Sequence, residues 1–312
     1  MVVNRGVTRV QQFISFPTIE SGLYMFGGHR HTVAGGWHFF EQRHQVFELM
    51  TISKGCQLTE IKGGPTIELG PGDAIIIAPE TYHTNSNQST QTPMTYSCLH
   101  FDFEDMLVRS RLIGLVANQR IPAGSVLARI CTDTLAAIAQ LSSNREQVNN
   151  FANRVAIEIT LLNFLRDVDQ EIDRVKDHHR LPYSDKEAKV ARDLVVSIEN
   201  RVNNDDENPS FNFEEICYHL GISSGYGHRV FKKVYGITPL YYINRERYQK
   251  AQRLLENSHN SIDEIASLVG AGNISIFSKQ FKKWSGATPS EYRKQTRRKR
   301  SVTSKNRTGY FE

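Results

Sequence analysis

Apolar positions change period partway along the chain, and that change divides it. Up to residue 105, short runs alternate or stay apolar, as in Cys56–Ile61, Thr66–Leu69 and Ala74–Ile77. Gly63-Gly64 and the Gly-Pro-Gly-Asp stretch Gly70–Asp73 separate them. Short strands between regularly spaced turns predict a small barrel or jelly roll. From Ser125 the spacing becomes helical: Leu127, Ile130, Leu135, Ile138 and Leu141, then Val155, Ile159, Leu162, Leu165, Val168, Ile172 and Val175. Pro182 and the polar stretch around Ser184 mark a boundary. Leu165, Val168, Ile172 and Val175 fit a short heptad seam between subunits, or equally a face packed on the protein's own barrel.

Beyond that boundary the pattern repeats. Residues 211–242 and 260–292 are two copies of one unit: Ile216 and Gly221 match Ile265 and Gly270, while Phe231, Lys232, Lys233, Gly236, Thr238, Pro239 and Tyr242 match Phe281, Lys282, Lys283, Gly286, Thr288, Pro289 and Tyr292. In each copy a capping pair (Asn212 with Glu215, Ser261 with Glu264) starts a short helix. A glycine ends that helix, and a second helix closes on a phenylalanine and two lysines. Thr-Pro then places an N-cap before a helix-starting proline. This is the plan of a helix-turn-helix. A helix from Pro239 to Asn257 joins the copies. At 1.5 Å per residue it spans roughly 28 Å, similar to the ~34 Å between successive major-groove faces of a duplex. Two recognition helices of one chain can therefore enter adjacent grooves. The bland alternative is a helical bundle containing a duplicated hairpin.

Composition narrows the class. With 39% hydrophobic and 23% charged residues, the chain is neither disordered nor fibrous. Its longest strongly apolar stretch, Ala74–Ala78, is far short of the ~20 residues a membrane span needs. The N-terminus lacks the apolar core of a signal peptide. Four scattered cysteines form no CxxC pair, so neither a disulfide framework nor a zinc finger is expected. A cytoplasmic, soluble protein follows. Charge separates the halves: residues 1–180 carry 16 basic and 18 acidic side chains, whereas residues 228–307 carry 18 and 5. A neutral front and a basic back suggest a sensing domain joined to one that meets a polyanion.

Residues 185–293 resemble the DNA-binding domain of AraC/XylS-type bacterial transcription regulators. The resemblance rests on the two helix-turn-helices, the linking helix with Arg245-x-Arg247 and Ala251–Leu255, and the closing stretch Ala287–Arg293. It implies base-reading positions early in each second helix: Gly225, His228 and Arg229 in the first copy, and Ile274, Ser275, Ser278 and Lys279 in the second. Arg229 can contact guanine with two hydrogen bonds, whereas Ile274 offers only apolar contact, for instance to a thymine methyl. Lys232, Lys233, Lys282 and Lys283 are expected to set affinity through phosphate. Gly225, Gly227 and Ala271 depart from the family pattern. Gly227 aligns with Phe277, which predicts an under-packed, loosely ordered first helix-turn-helix.

Residues 20–105 resemble the cupin-like sensor domain that precedes this DNA-binding domain in many relatives, through His44 and Glu48, Pro71-Gly72-Asp73, and Pro79 and His83. The resemblance implies a concave pocket for a small polar metabolite, with a sugar preferred because the family often serves carbohydrate uptake. Candidate lining residues are Tyr24, Phe26, His31, Trp37, His44, Glu48 and His83. Metal cupins carry two histidines in an HxH. Here Gln45 and Val46 follow His44, so no metal and no cofactor are assigned, though His44, Glu48 and His83 form a candidate three-ligand set. No catalytic residue is assigned.

The expected fold is α+β and multidomain. A cupin-like β-barrel (1–105) precedes a helical linker suited to dimerisation (106–182), an all-α tandem helix-turn-helix domain (183–295) and a basic, disordered tail (296–312). The expected function is a sequence-specific transcription regulator with double-stranded DNA and a small-molecule effector as partners. RNA polymerase and a second copy of the chain are further candidate partners, and no membrane is. The alternative is a metal-dependent cupin enzyme tethered to DNA.

Overall fold

A computed structural model of the chain describes residues 22–143, 150–175, 181–204 and 211–296. The tail expected to be disordered lies outside the described residues, save its first position.

The predicted β half folds as two four-stranded antiparallel sheets. The first holds β1 (Leu23–Val33), β8 (Met94–Phe103), β3 (Phe47–Lys54) and β6 (Ala74–Ile77), in that spatial order. The second holds β2 (His38–Gln42), β7 (His83–Asn87), β4 (Gln57–Ile61) and β5 (Thr66–Leu69), again in spatial order. Met50, Ile52, Ile75 and Ile77 of the first sheet meet Ile67 and Leu69 of the second in a shared core. Each of β3 and β6 is buried on both faces, so each reads as a continuous apolar run rather than an alternation. The turn before β6 is held by buried Asp73. Its carboxylate accepts from the Gly70 and Ala123 amides at 2.7 and 2.8 Å and from Arg120 Nε at 2.9 Å.

Three helices cover the other face of the first sheet: α1 (Met106–Leu115), α2 (Val126–Leu141) and α3 (Phe151–Val175). Asp105 and Ser125 cap the first two. Phe47, Leu49, Leu99 and Phe101 of the sheet share one core with Leu112, Cys131, Leu135, Leu161, Phe164, Val168 and Ile172. Of the candidate seam residues, Val168 and Ile172 are therefore buried against the protein's own sandwich. Leu165 is partly buried there, and the Val175 side chain lies outside the described residues.

The basic half opens on α4 (Asp185–Asn203), whose Ser184–Glu187 capping box is complete. The two repeat units follow: α5 (Phe213–His219) with α6 (Ser224–Tyr235), and α8 (Ile262–Leu268) with α9 (Ile274–Ser285), joined by α7 (Pro239–Asn257). Each unit has its own core. Ile216, Phe231 and Tyr242 pack with α4, while Ile265, Phe277 and Phe281 pack with the second half of α7. Phe231 and Phe281 are fully buried, and each contributes roughly 1.5–3 kcal/mol of burial. Gly221 and Gly270 sit at φ 67° and 71°, where a Cβ would be strained.

One packing expectation is corrected. The space left by Gly227 is filled, because a Cβ there would lie 2.6 Å from Cys217 Sγ and 3.3 Å from the Phe213 ring. Phe213 from α5 thus does in the first unit what Phe277 does from within α9 in the second, and α6 runs unbroken through both glycines.

Candidate functional site

Ser223 and Asn273 cap α6 and α9 and fix where each second helix begins. With Phe231, Val234 and Gly227 turned inward, Gly225, His228, Arg229, Lys232 and Lys233 are left on the exposed face of α6. Phe277 and Phe281 likewise leave Ile274, Ser275, Lys279, Lys282 and Lys283 exposed on α9, with Ser278 half-buried. The sequence-derived reading residues thus lie on accessible faces of the two second helices. The His228 ring also packs edge-on against Phe213, at 4.6 Å between centroids, and Arg229 lies over Tyr226 at 5.4 Å.

The two lysine pairs differ. Lys233 Nζ donates to both Glu187 oxygens, at 2.8 and 3.0 Å, and Lys232 Nζ lies 3.7 Å from Glu80 Oε2. Lys282 and Lys283 have no ion-pair partner among the described residues. Glu80 belongs to the sandwich, in the loop between β6 and β7, and also accepts from Arg43 at 3.0 Å. Its backbone is left-handed, at φ 63°. A second contact from the sandwich is buried. Arg109 of α1 pairs with Asp102 of β8, and its Nε donates to the Tyr235 carbonyl at the end of α6 at 2.7 Å. The front domain therefore grips the C-terminal end of α6. Glu80 and Arg109 carried no sequence motif that marked them.

Inside the sandwich the structure brings together three of the seven candidate pocket residues. His83 Nε2 is 3.0 Å from Glu48 Oε2, and His44 Nε2 is 3.6 Å from the same oxygen. A residue the sequence reading missed completes the group: His100 Nε2 is 3.7 Å from Glu48 Oε1. Strand register explains the assembly. Glu48 and His100 are cross-strand partners in one sheet, and Gln42 and His83 are partners in the other. Gln42 Nε2 lies 3.2 Å from His83 Nε2. His83 Nδ1 is 3.1 Å from the Thr81 carbonyl and its Nε2 faces Glu48, so each ring nitrogen has an acceptor within hydrogen-bond distance.

Burial works to raise the Glu48 carboxyl. The His83 hydrogen bond and the charges of His83, His100 and His44 overcome it and hold that group below the usual carboxylate range. Burial pushes the His44 imidazole down, against the pull of Glu48. The Nε2 atoms of His44 and His100 are buried and lie 3.6 and 3.7 Å from the Glu48 oxygens, beyond hydrogen-bond distance.

The other four pocket candidates lie elsewhere. His31 and Trp37 stand near Tyr96, at 6.3 and 5.5 Å between ring centroids. Tyr24 donates to Glu104 at 2.7 Å, and Phe26 beside it is exposed. A register shift between Met25 and Gly27 separates that end of β1 from His29 and His31. All four cysteines are free thiols, and no helix among the described residues is long and apolar enough to cross a membrane.

A two-sheet front domain with a polar, ionisable interior, gripping a paired helix-turn-helix, defines a sensor-and-reader class of protein. The chain belongs to the AraC family: residues 23–165 match the AraC-like ligand binding domain and residues 216–295 match a helix-turn-helix domain. Over 80 residues it is 38% identical to the raffinose operon transcriptional regulatory protein RafR of Pediococcus pentosaceus, covering 26% of this chain and 29% of that one. Over 230 residues it is 24% identical to the Msm operon regulatory protein of Streptococcus mutans, covering 74% of this chain and 78% of that one. Among solved structures, ToxT from Vibrio cholerae aligns over 86% of this chain and 98% of its own, with 14% identity and a TM-score of 0.37.

Proposed function

We propose that the chain is a sequence-specific, DNA-binding transcription regulator whose two helix-turn-helices enter adjacent major grooves and whose sandwich senses a small polar metabolite. One observation carries the reading: two separately packed helix-turn-helix units present Arg229, Lys279 and two lysine pairs on their outer faces, while every phenylalanine anchor of those second helices points inward. Arg229 is the best base reader by chemistry, and the lysines act through phosphate. A sugar is the favoured effector class, because both relatives named above regulate operons and the name of one specifies raffinose.

The sensor reaches the reader through the loop between β6 and β7. That loop leads directly to His83, its Thr81 carbonyl accepts from the His83 ring, and its Glu80 holds Lys232. A ligand that binds one arrangement of this loop more tightly shifts the population of reader-competent molecules by that difference in affinity. The regulator works in the cytoplasm, where its DNA is; contact with RNA polymerase and pairing through α3 belong to the same proposal. On α3, Phe151, Ile159 and Leu162 are the exposed apolar side chains.

Two substitutions test the assignment of roles. Arg229→Ala is expected to relax discrimination at one base pair, by about 1–3 kcal/mol. Lys283→Ala is expected to weaken all duplexes alike and lower the salt slope by about one unit. Anisotropy titrations against matched and single-mismatch duplexes read both effects, and equal, sequence-blind losses from the two changes would refute the assignment.

A further inference from the structure

We propose that the cleft between α1 and the α4–α6 face binds a small organic anion with an apolar body, an aromatic or branched-chain carboxylate, and that this ligand braces the front domain against the first helix-turn-helix. The cleft lies apart from the sandwich interior to which the metabolite is assigned above, so the failure of either site leaves the other standing.

Both halves of the chain supply the walls. Leu107 and Leu115 of α1, Val195 and Val196 of α4 and Val234 of α6 line a cavity of about 890 Å³. Leu107 is 62% exposed and Val196 53%, so apolar side chains of two domains stand in water along one cleft. Pockets of roughly 300–1,000 Å³ at domain junctions are where small molecules ordinarily bind. The floor is also the joint: the Tyr235 carbonyl takes the Arg109 hydrogen bond at 2.7 Å, while the rest of that residue lines the cleft.

The polar lining has unmet donors. Tyr235 is 3% exposed, yet its hydroxyl has no hydrogen-bond partner among the described residues; buried phenols ordinarily find one. Burial pushes that phenol above its ordinary range against the pull of the Arg192 charge, so it stays a donor and lies within reach of that cation. Arg192 is exposed and has no ion-pair partner among the described residues. The other cation of the lining, Arg111, is already met by Asp169 and Asp173. The acidic lining residue, Asp185, stands two turns before Arg192, roughly 10 Å along α4, in the first turn, where the helix N-terminus balances its charge. A free guanidinium beside an unmet hydroxyl selects a ligand that brings acceptors and negative charge. The aliphatic walls select an apolar body, because a sugar's hydroxyls would meet them unpaired.

Anilinonaphthalene sulfonate, an apolar body with one negative charge, serves as the probe, and neutral phenylnaphthylamine is its uncharged counterpart. Fluorescence titration of the full-length protein, without DNA, is expected to show one equivalent of the anion bound more tightly than the neutral dye. Tyr235→Phe is expected to weaken the anion by about 2–12-fold, the worth of one hydrogen bond. Arg192→Ala is expected to weaken it by about 1.4–5-fold, the worth of an exposed ion pair, and to leave the neutral dye unchanged. Val196→Glu places a carboxylate in the wall and is expected to weaken the anion at an unchanged thermal midpoint, because Val196 is exposed. Amide exchange locates the dye: slowing is expected in α1, α4 and the last turn of α6. No binding by wild type, equal affinity for the two dyes, no response to the three substitutions, or slowing confined to the sandwich sheets would overturn the assignment.

Discussion

Arg109 offers the most exacting test of how the front domain holds the first helix-turn-helix. Its side chain is fully buried, as is that of Asp102 to within a few per cent. The guanidinium pairs with Asp102, donates through Nε to the Tyr235 carbonyl at 2.7 Å, and stacks over Phe47 at 4.8 Å. Arg109→Met keeps much of the volume but leaves the Asp102 carboxylate buried without a cation. Breaking a buried pair from one side costs about 3–5 kcal/mol. Adding Asp102→Asn removes the stranded charge, so the double variant is expected to recover most of that loss. What remains is the deprived Tyr235 carbonyl, a further penalty of about 1–3 kcal/mol for an unmet buried acceptor. Urea unfolding of the full chain measures all three proteins. Amide exchange is expected to quicken in the last turn of α6 in both variants, since Tyr235 loses its tie to the sandwich. A single-variant loss below about 1 kcal/mol, or a double variant no better than the single, would show that Arg109 and Asp102 do not form the buried clasp described above.

Four further outcomes follow from the same structure. Glu80→Gln releases Lys232, whose half-exposed pair is worth about 0.2–1 kcal/mol; DNA affinity is expected to rise by about 1.4–5-fold at low salt and by less at high salt. Unchanged or weaker binding in anisotropy titrations would remove the contact from the coupling route. Gly225→Ala meets no atom within 4 Å and is expected to stabilise α6 by about 1 kcal/mol, measured by chemical denaturation. Gly227→Ala drives a methyl into Cys217 and Phe213 and is expected to cost about 1–3 kcal/mol; equal stability for the two variants would contradict the packing of α5 on α6. Because Phe213 fills that gap, amide protection of residues 223–231 is expected to match that of α9, and exchange confined to the first unit would restore the loosely ordered alternative.

Much of the reader was legible because its determinants are local. Caps, turn glycines and Thr-Pro starts act within four residues of their partners, so the linking helix was readable to its ends at Pro239 and Asn257. The helical periodicity of α2 and α3 was legible for the same reason. The sandwich was legible as short strands and turns, whereas its interior was not. Which side chains share a cavity depends on how β3 registers with β8 and β2 with β7. Nothing in the spacing of His44 and Glu48 points to His100. By pattern Tyr24 and Phe26 stand with His31 in one extended run, but the irregularity at Gly27 separates them from the His31 end of the strand. The partners of Arg109 and Lys232 depend on docking between distant segments and leave no trace in local pattern. The under-packing expected at Gly227 failed likewise: an alignment of the two units compares α6 with α9 and cannot show that Phe213 reaches across from α5.

The central claim, that one chain carries two reading heads for duplex DNA, is tested most directly by selecting genomic fragments with the full-length protein and sequencing what it retains. The account predicts a recurrent two-part site whose halves lie about one helical turn apart, with the genes beside it indicating the effector class. Enrichment of arbitrary duplex alone, with or without candidate sugars, would contradict it.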